Sequence, residues 1–194
     1  MTRAANIDLP ARILSEAEKV VVASGYQGIN MRRLATQVGV SATAIYHYFE
    51  NKDAILRKLR IKAAEMLNDR IRGIDARLPP QEFIAELGRQ YLAYAQANPN
   101  MYRLLFEAPI DESAEPEDHH VLYYTYLAAR GALEKMAGQG KPMPDPRHGA
   151  MMGWMMLHGF SSLMMSGILP PAEGMTRESL QELFMRYYSG GPQG

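Results

Sequence analysis

The stretch from Arg32 to Lys52 leaves few folds open to this chain. It reads Arg-Arg-Leu-Ala-Thr-Gln-Val-Gly-Val-Ser-Ala-Thr-Ala-Ile-Tyr-His-Tyr-Phe-Glu-Asn-Lys, which is the pattern of two short helices joined by a tight turn. Ala35 is small enough to let one helix lie close on the next. Gly39 supplies the turn, where a positive φ costs a residue with a side chain more. Ser41 is a good N-cap for a helix beginning at Ala42. Leu34, Val38, Val40, Ile45 and Phe49 can share a small core, which leaves Ala42, Thr43, Tyr46, His47 and Tyr48 at or near the outer face. A helix-turn-helix is built this way, with its second helix free to enter a DNA major groove.

The flanking residues extend the helical pattern in both directions. Ile13, Leu14, Ala17, Val20 and Val21 form an apolar stripe over residues 8–24, capped by Asp8, opened by Pro10 and ended by Gly25. Tyr26 to Ile29 is a turn, and Asn30 caps the helix that follows. Asn51 or Asp53 starts a long helix to about residue 74, with Ile55, Leu56, Leu59, Ala63, Met66, Leu67 and Ile71 at 3.6-residue spacing. Leu78-Pro79-Pro80 interrupts the chain. Amphipathic helices are then expected over 81–97, 101–107, 121–136, 147–168 and 176–188, with an acidic loop at 111–120 and a Gly/Pro-rich connection at 138–146. No alternation of the strand type and no internal repeat is present. The expected fold is all-α with about nine helices. It divides into a helix-turn-helix head (1–52), a connecting helix (53–78) and a helical domain for ligand binding and dimerisation (79–194).

Charge supports a division of labour. The whole chain has 21 Lys/Arg and 21 Asp/Glu, yet residues 1–72 hold 12 basic against 7 acidic side chains, and the remainder 9 against 14. A basic N-terminal third and an acidic remainder suggest that one part meets phosphate and the other does not. The chain has no cysteine, which removes disulfides and thiolate metal sites and fits a cytoplasmic protein. The first residues are mixed polar, and no apolar run reaches the ~18 residues of a membrane span, so no membrane partner is expected.

The sequence resembles the TetR family of transcriptional regulators. The resemblance rests on Gly25-Tyr26-Gln27-Gly28, Met31-Arg32-Arg33-Leu34-Ala35, Gly39-Val40-Ser41, Ile45-Tyr46-His47-Tyr48-Phe49 and Asn51-Lys52-Asp53 leading to Leu56. Farther on, Trp154-Met155-Met156-Leu157-His158-Gly159 resembles the Trp…His-Gly motif of one C-terminal domain type in that family. Asn30, where Thr or Ser is usual, and Ala42-Thr43, where a Gly-containing pair is commoner, depart from the pattern and bear on which operator is read. The resemblance implies a homodimer formed by the last two helices, double-stranded DNA with a palindromic operator as one partner, and a small-molecule effector as another. Gly149 and Gly153 would allow close helix approach in such a dimer, and Phe184 and Tyr187 would add to its seam.

Within the head, Arg32, Arg33, Ser41, Ala42, Thr43, Tyr46, His47, Tyr48 and Lys52 are the DNA-binding candidates. The tyrosines offer hydroxyls to phosphate and flat rings to sugar or thymine methyl, and Thr43 does the same on a smaller scale. Lys52, at a helix start, is placed to clamp a phosphate together with backbone N–H groups. Arg32 is suited to a phosphate or a guanine edge, and Arg33 to a contact or to plain solvation. Ala42 and Ala44 offer no side-chain hydrogen bond, so shape and water carry more of the readout.

For a largely apolar effector the candidates are Tyr91, Tyr94, Met101, Tyr102, Phe106, Tyr123, Tyr126, Trp154, Met155 and His158, in a region rich in the adaptable side chain of methionine. No cofactor is expected. The adjacent His119 and His120 diverge on any ordered element and have no third ligand at a metal-binding spacing, so no metal site is expected. No phosphate-binding Gly loop, nucleophile elbow or HExxH motif points to an enzyme. The reading is a ligand-responsive regulator, most simply a repressor. The alternatives are a helical DNA-binding protein without effector response and a small-ligand carrier.

Overall fold

Gly25, Gly39 and the prolines punctuate a chain whose described residues form helices and connections only. A computed structural model describes residues 9–109, 120–140, 143–168 and 176–188. The helices are α1 (Leu9–Ser24), α2 (Met31–Val38), α3 (Ala42–Tyr48), α4 (Lys52–Arg72), α5 (Pro80–Ala97), α6 (Pro99–Phe106), α7 (Tyr124–Gly138), α8 (Pro146–Ser166) and α9 (Arg177–Tyr188), with a 3₁₀ turn at Tyr26–Gly28. Asp8, residues 111–119 with His119, Pro170-Pro171 and the tail from Ser189 lie outside the described residues.

Contacts gather the chain into two units that interleave in sequence. Residues 9–65 and 98–109 belong to the first, and 66–97 together with the described residues from 120 onward belong to the second. Helix α4 is continuous and contributes to both. The Leu78-Pro79-Pro80 break therefore falls inside the second unit, and α6 belongs with the head although it follows α5 directly.

The first unit is built by burying one stripe of each helix. Ile13, Ala17 and Val21 of α1, Leu34, Ala35 and Val38 of α2, Ile45 of α3 and Ile55 and Leu59 of α4 are all buried. Each of the larger side chains contributes about 1.5–3 kcal/mol by leaving water. Tyr102 and Leu104 of α6 are fully buried in the same unit. Helix α6 begins at Pro99 rather than at Met101, because a proline at the first helical position lacks only an N–H that would have no partner there.

In the second unit α5 packs against α7, α8 and α9, and α8 packs against α7 and α9. Leu87, Tyr91, Leu92, Tyr94 and Ala95 are the buried face of α5. The side chain of Asn68 is buried and donates to the Val121 carbonyl at 2.9 Å. Thr176 caps α9, its Oγ1 accepting from Ser179 N at 3.2 Å.

Two glycines of α8 face neighbouring helices of the same chain. A Cβ on Gly149 would lie 3.1 Å from Leu133 Cδ1 of α7, and one on Gly153 would lie 3.5 Å from the Tyr188 ring of α9. At Gly149 the missing side chain relieves a tight approach to α7, whereas at Gly153 a Cβ would make an ordinary contact. Phe184 is likewise turned inward, stacked on Phe160 with ring centroids 4.2 Å apart, whereas Tyr187 is exposed.

Candidate nucleic-acid interface

Three local devices set α3 on the surface of the first unit. Asn30 caps α2, its side chain accepting from Arg33 N at 3.1 Å. Gly39 closes α2 in the left-handed region, at φ 78° and ψ 36°, and both its N–H and that of Val40 return to the Ala35 carbonyl. Ser41 is extended and caps α3, with Oγ accepting from Ala44 N at 3.1 Å. A fourth device comes from α1: Arg12 Nη2 donates to the Val38 carbonyl at 2.9 Å, placing a cation at the negative end of α2.

With Ile45 and Phe49 buried beneath it, α3 turns Thr43, Tyr46 and His47 outward, and Ser41 is exposed ahead of them. Tyr46 keeps 49% of its surface in solvent. Ala42 and Tyr48 are half-buried, the Tyr48 ring meeting His47 edge-on at 5.1 Å. Arg32 and Arg33 are exposed on the first turn of α2. Ser41 accepts a hydrogen bond as a cap and still has its O–H to donate to a phosphate. Thr36 and Gln37 are also exposed at the end of α2, beside the turn that leads into α3.

Lys52 is more constrained than its place at a helix start implied. Its Nζ donates to the Gln27 carbonyl at 3.2 Å, which ties the start of α4 to the 3₁₀ turn. An ammonium has three protons, so one such bond leaves others for a phosphate. The cap of α4 is Asn51, whose Oδ1 accepts from Ala54 N at 2.9 Å.

The effector candidates are divided between the units. Met101 and Tyr102 are buried on α6 in the first unit, where Phe106 lies against the Tyr102 ring at 4.8 Å. In the second unit Tyr91 and Tyr94 are fully buried on α5. Burial raises the Tyr94 phenol above its ordinary pKa, opposed in part by the charge of Arg70. Tyr123 and Tyr126 come together on the Trp154 ring, with centroids 6.2 and 6.5 Å away. His158 is half-buried one turn farther along α8. Met155 stands apart from this cluster: it is 52% exposed, as are Met151, Met152 and Met156 to similar degrees. Among the described residues no group of three or more His, Asp or Glu side chains is placed to hold a metal ion, and no helix is long and apolar enough to cross a membrane.

One buried cation was not foreseen. Arg60 of α4 is only 9% exposed, and its guanidinium meets the end of α6. The signal was present in the sequence, since Arg60 interrupts the apolar row Leu56, Ala63, Leu67 on one face of α4.

A capped seven-residue helix, set by a glycine turn on a second helix and left exposed along its polar side, defines a helix-turn-helix protein. Residues 13–59 match the model for bacterial regulatory proteins of the tetR family, and residues 84–187 match the tetracyclin repressor-like C-terminal domain. The chain belongs to the TetR family. An uncharacterized HTH-type transcriptional regulator of Mycobacterium tuberculosis is 21% identical over 145 residues, which is 75% of this chain and 65% of that protein. The match thus spans just under two thirds of that relative. A Rhodococcus protein of unknown function superposes with a TM-score of 0.78 at 20% identity, covering 93% of each chain. The Bacillus subtilis transcriptional regulator FadR, in complex with stearoyl-CoA, gives 0.67 at 18% identity, covering 94% of this chain and 99% of that one. At these identities the likeness to solved structures is one of fold.

Proposed function

We propose that this protein is a cytoplasmic, homodimeric transcriptional repressor, which binds a palindromic DNA operator and is released by a small, largely apolar effector. The observation that carries the reading is α3 itself, capped at Ser41, anchored by Ile45 and exposing Thr43, Tyr46 and His47. Its basic third of the chain supplies the attraction to phosphate, and Arg32, Arg33 and Lys52 are its contributors nearest the recognition helix.

A second copy is the natural cover for α8. Met151, Met152, Met155, Met156 and Leu163 expose 40–57% of their surfaces there, and Tyr187 of α9 exposes 58%. Such a run of large apolar side chains is unfavourable in water, and methionine is enriched in interfaces. Pairing through α8 and α9 gives two heads related by a twofold axis, hence a palindromic site. Effector binding is supported by the Tyr123, Tyr126 and Trp154 cluster and by the buried Tyr91 and Tyr94 of the same unit. That a FadR of this fold was solved with stearoyl-CoA supports an apolar effector. An effector acts only through its different affinity for the bound and released arrangements.

The test is selection of duplexes from a random pool by the purified protein, followed by titration of the bound complex with stearoyl-CoA and with apolar aromatic compounds. The expected site has two half-sites with centres about 10 base pairs, or a multiple, apart, and at least one compound should lower DNA affinity. Failure to enrich any sequence would refute DNA recognition. Enrichment with no response to any bound compound would refute the effector half.

A further inference from the structure

Helix α6 is packed as part of the DNA-binding unit, and one buried side chain holds its end. Arg60 Nε donates to the Leu104 carbonyl at 3.3 Å, and Nη2 donates to the carbonyls of Ala108 and, at 2.9 Å, Pro109. The Leu104 carbonyl is one that a helix leaves without a partner at its C-terminus, and Ala108 and Pro109 follow directly after the helix end. Here Glu107 N and Ala108 N both return to Arg103 O, at 2.8 and 3.3 Å, so the Leu104 oxygen is left to Arg60. Pro109 has no N–H and cannot continue the helix to reclaim Leu105 O. The result is a cation capping the negative end of α6 from a neighbouring helix. Burial lowers the Arg60 pKa, with the Tyr26 phenol opposing that shift, and no carboxylate pairs with it among the described residues.

The other ties of α6 lead to α1. Asn100 Nδ2 donates to the Val22 carbonyl at 2.9 Å, and Tyr26 Oη reaches the Glu107 carbonyl at 3.5 Å. Helix α1 in turn caps α2 through Arg12 and the Val38 carbonyl, and α2 passes through Gly39 into α3. A series of hydrogen bonds inside one unit thus runs from Arg60 to the end of α2, from which the backbone leads through Gly39 into the recognition helix.

We infer that Arg60 is a positioning residue for DNA binding: it seats α6 against the head, and that seat holds α1, α2 and α3 in the arrangement that fits DNA. The inference rests on the proposed DNA-binding function and adds a residue that touches no DNA. With Nε and Nη2 committed to these carbonyls and only 9% of its surface exposed, the side chain is poorly placed to reach a phosphate. Losing them leaves a buried cation unsatisfied, so unseating α6 is costly.

The experiment compares wild type, Arg60→Met, Arg60→Lys and Asn100→Ala, using the duplex that the wild-type protein selects. Enrichment by wild type tests the functional reading separately. Amide hydrogen exchange, measured without DNA, tests the seat of α6. For Arg60→Met we expect exchange in α6 to quicken by about tenfold or more. Affinity for the duplex should fall by a similar factor, with the salt dependence of binding unchanged because no phosphate contact is lost. Arg60→Lys, which keeps the charge and one donor direction, should recover part of both losses, and Asn100→Ala should weaken binding in the same sense. Unchanged α6 exchange in Arg60→Met would overturn the inference. So would full DNA affinity in a variant whose α6 exchanges fast, or a salt slope reduced by about one unit, which would mark Arg60 as a phosphate ligand.

Discussion

Gly88→Ala is a substitution for which local and tertiary rules give opposite signs. Gly88 lies inside α5, where alanine is ordinarily better by about 1 kcal/mol. A Cβ there would fall 2.7 Å from Tyr188 Cε1, 3.0 Å from Tyr188 Cδ1 and 3.0 Å from Met185 Cε. Comfortable carbon–carbon contact is about 3.5–4.0 Å. The Met185 methyl can swing aside. The Tyr188 ring is less free, because it stacks with Phe184, which stacks on Phe160. Helix α9 must therefore shift, an overpacking cost of about 1–3 kcal/mol. The clash outweighs the propensity, and we expect a net loss of about 1 kcal/mol, or a midpoint lower by about 2–4 °C. In a Tyr188→Ala background the obstacle is gone, and the same substitution should stabilise by about 1 kcal/mol. The coupling between the two sites is then about 2 kcal/mol. Thermal unfolding of the four proteins by circular dichroism measures it, at one protein concentration because assembly shifts apparent stability. A coupling below about 0.5 kcal/mol would refute the slot that places α9 on α5.

Four further outcomes are expected. Ser41→Ala removes the cap of a seven-residue helix and should cost about 1 kcal/mol, read by urea unfolding, with a larger proportional loss of DNA binding; an unaltered midpoint would mean that the cap bond contributes nothing. Lys52→Ala should weaken binding evenly across DNA sequences and reduce the salt slope by about one unit; if only stability changes, the bond to Gln27 is the whole role of Lys52. Burial raises the phenols of Tyr94 and Tyr188 above the ordinary value of 10.0, so the stability tied to their neutral forms is complete below that pH and is lost as pH climbs toward the folded values. An alkaline titration of phenolate absorbance should show Tyr94 and Tyr188 among the last of the 11 tyrosines to ionise, together with unfolding, whereas a single smooth titration of all of them would contradict that burial. Met152→Asp places a charge on the apolar face of α8 and should weaken self-association by at least about a hundredfold in sedimentation experiments; an unchanged association constant would move the seam elsewhere.

Local sequence rules determined a large part of this protein. The spacing of Leu34, Val38, Ile45 and Phe49, the turn at Gly39 and the caps at Asn30, Ser41 and Asn51 are interactions within a few residues, so the head and its outward α3 were legible from the chain alone. So was the all-helical class, because apolar residues recur at a helical period nearly throughout. What depended on residues distant in sequence was not legible. Arg60 stands out in the apolar row of α4, but its partners are known only once the end of α6 and the residues after it place three carbonyls around it. Gly153 suggests a helix seam by its spacing, and only the fold shows that the Tyr188 ring of α9 is its neighbour within the chain. The membership of α6 followed the same rule: its order in the chain joins it to α5, but buried contacts from α1 and α4 decide its unit. Periodicity specifies that a face will be buried, and only packing specifies against what.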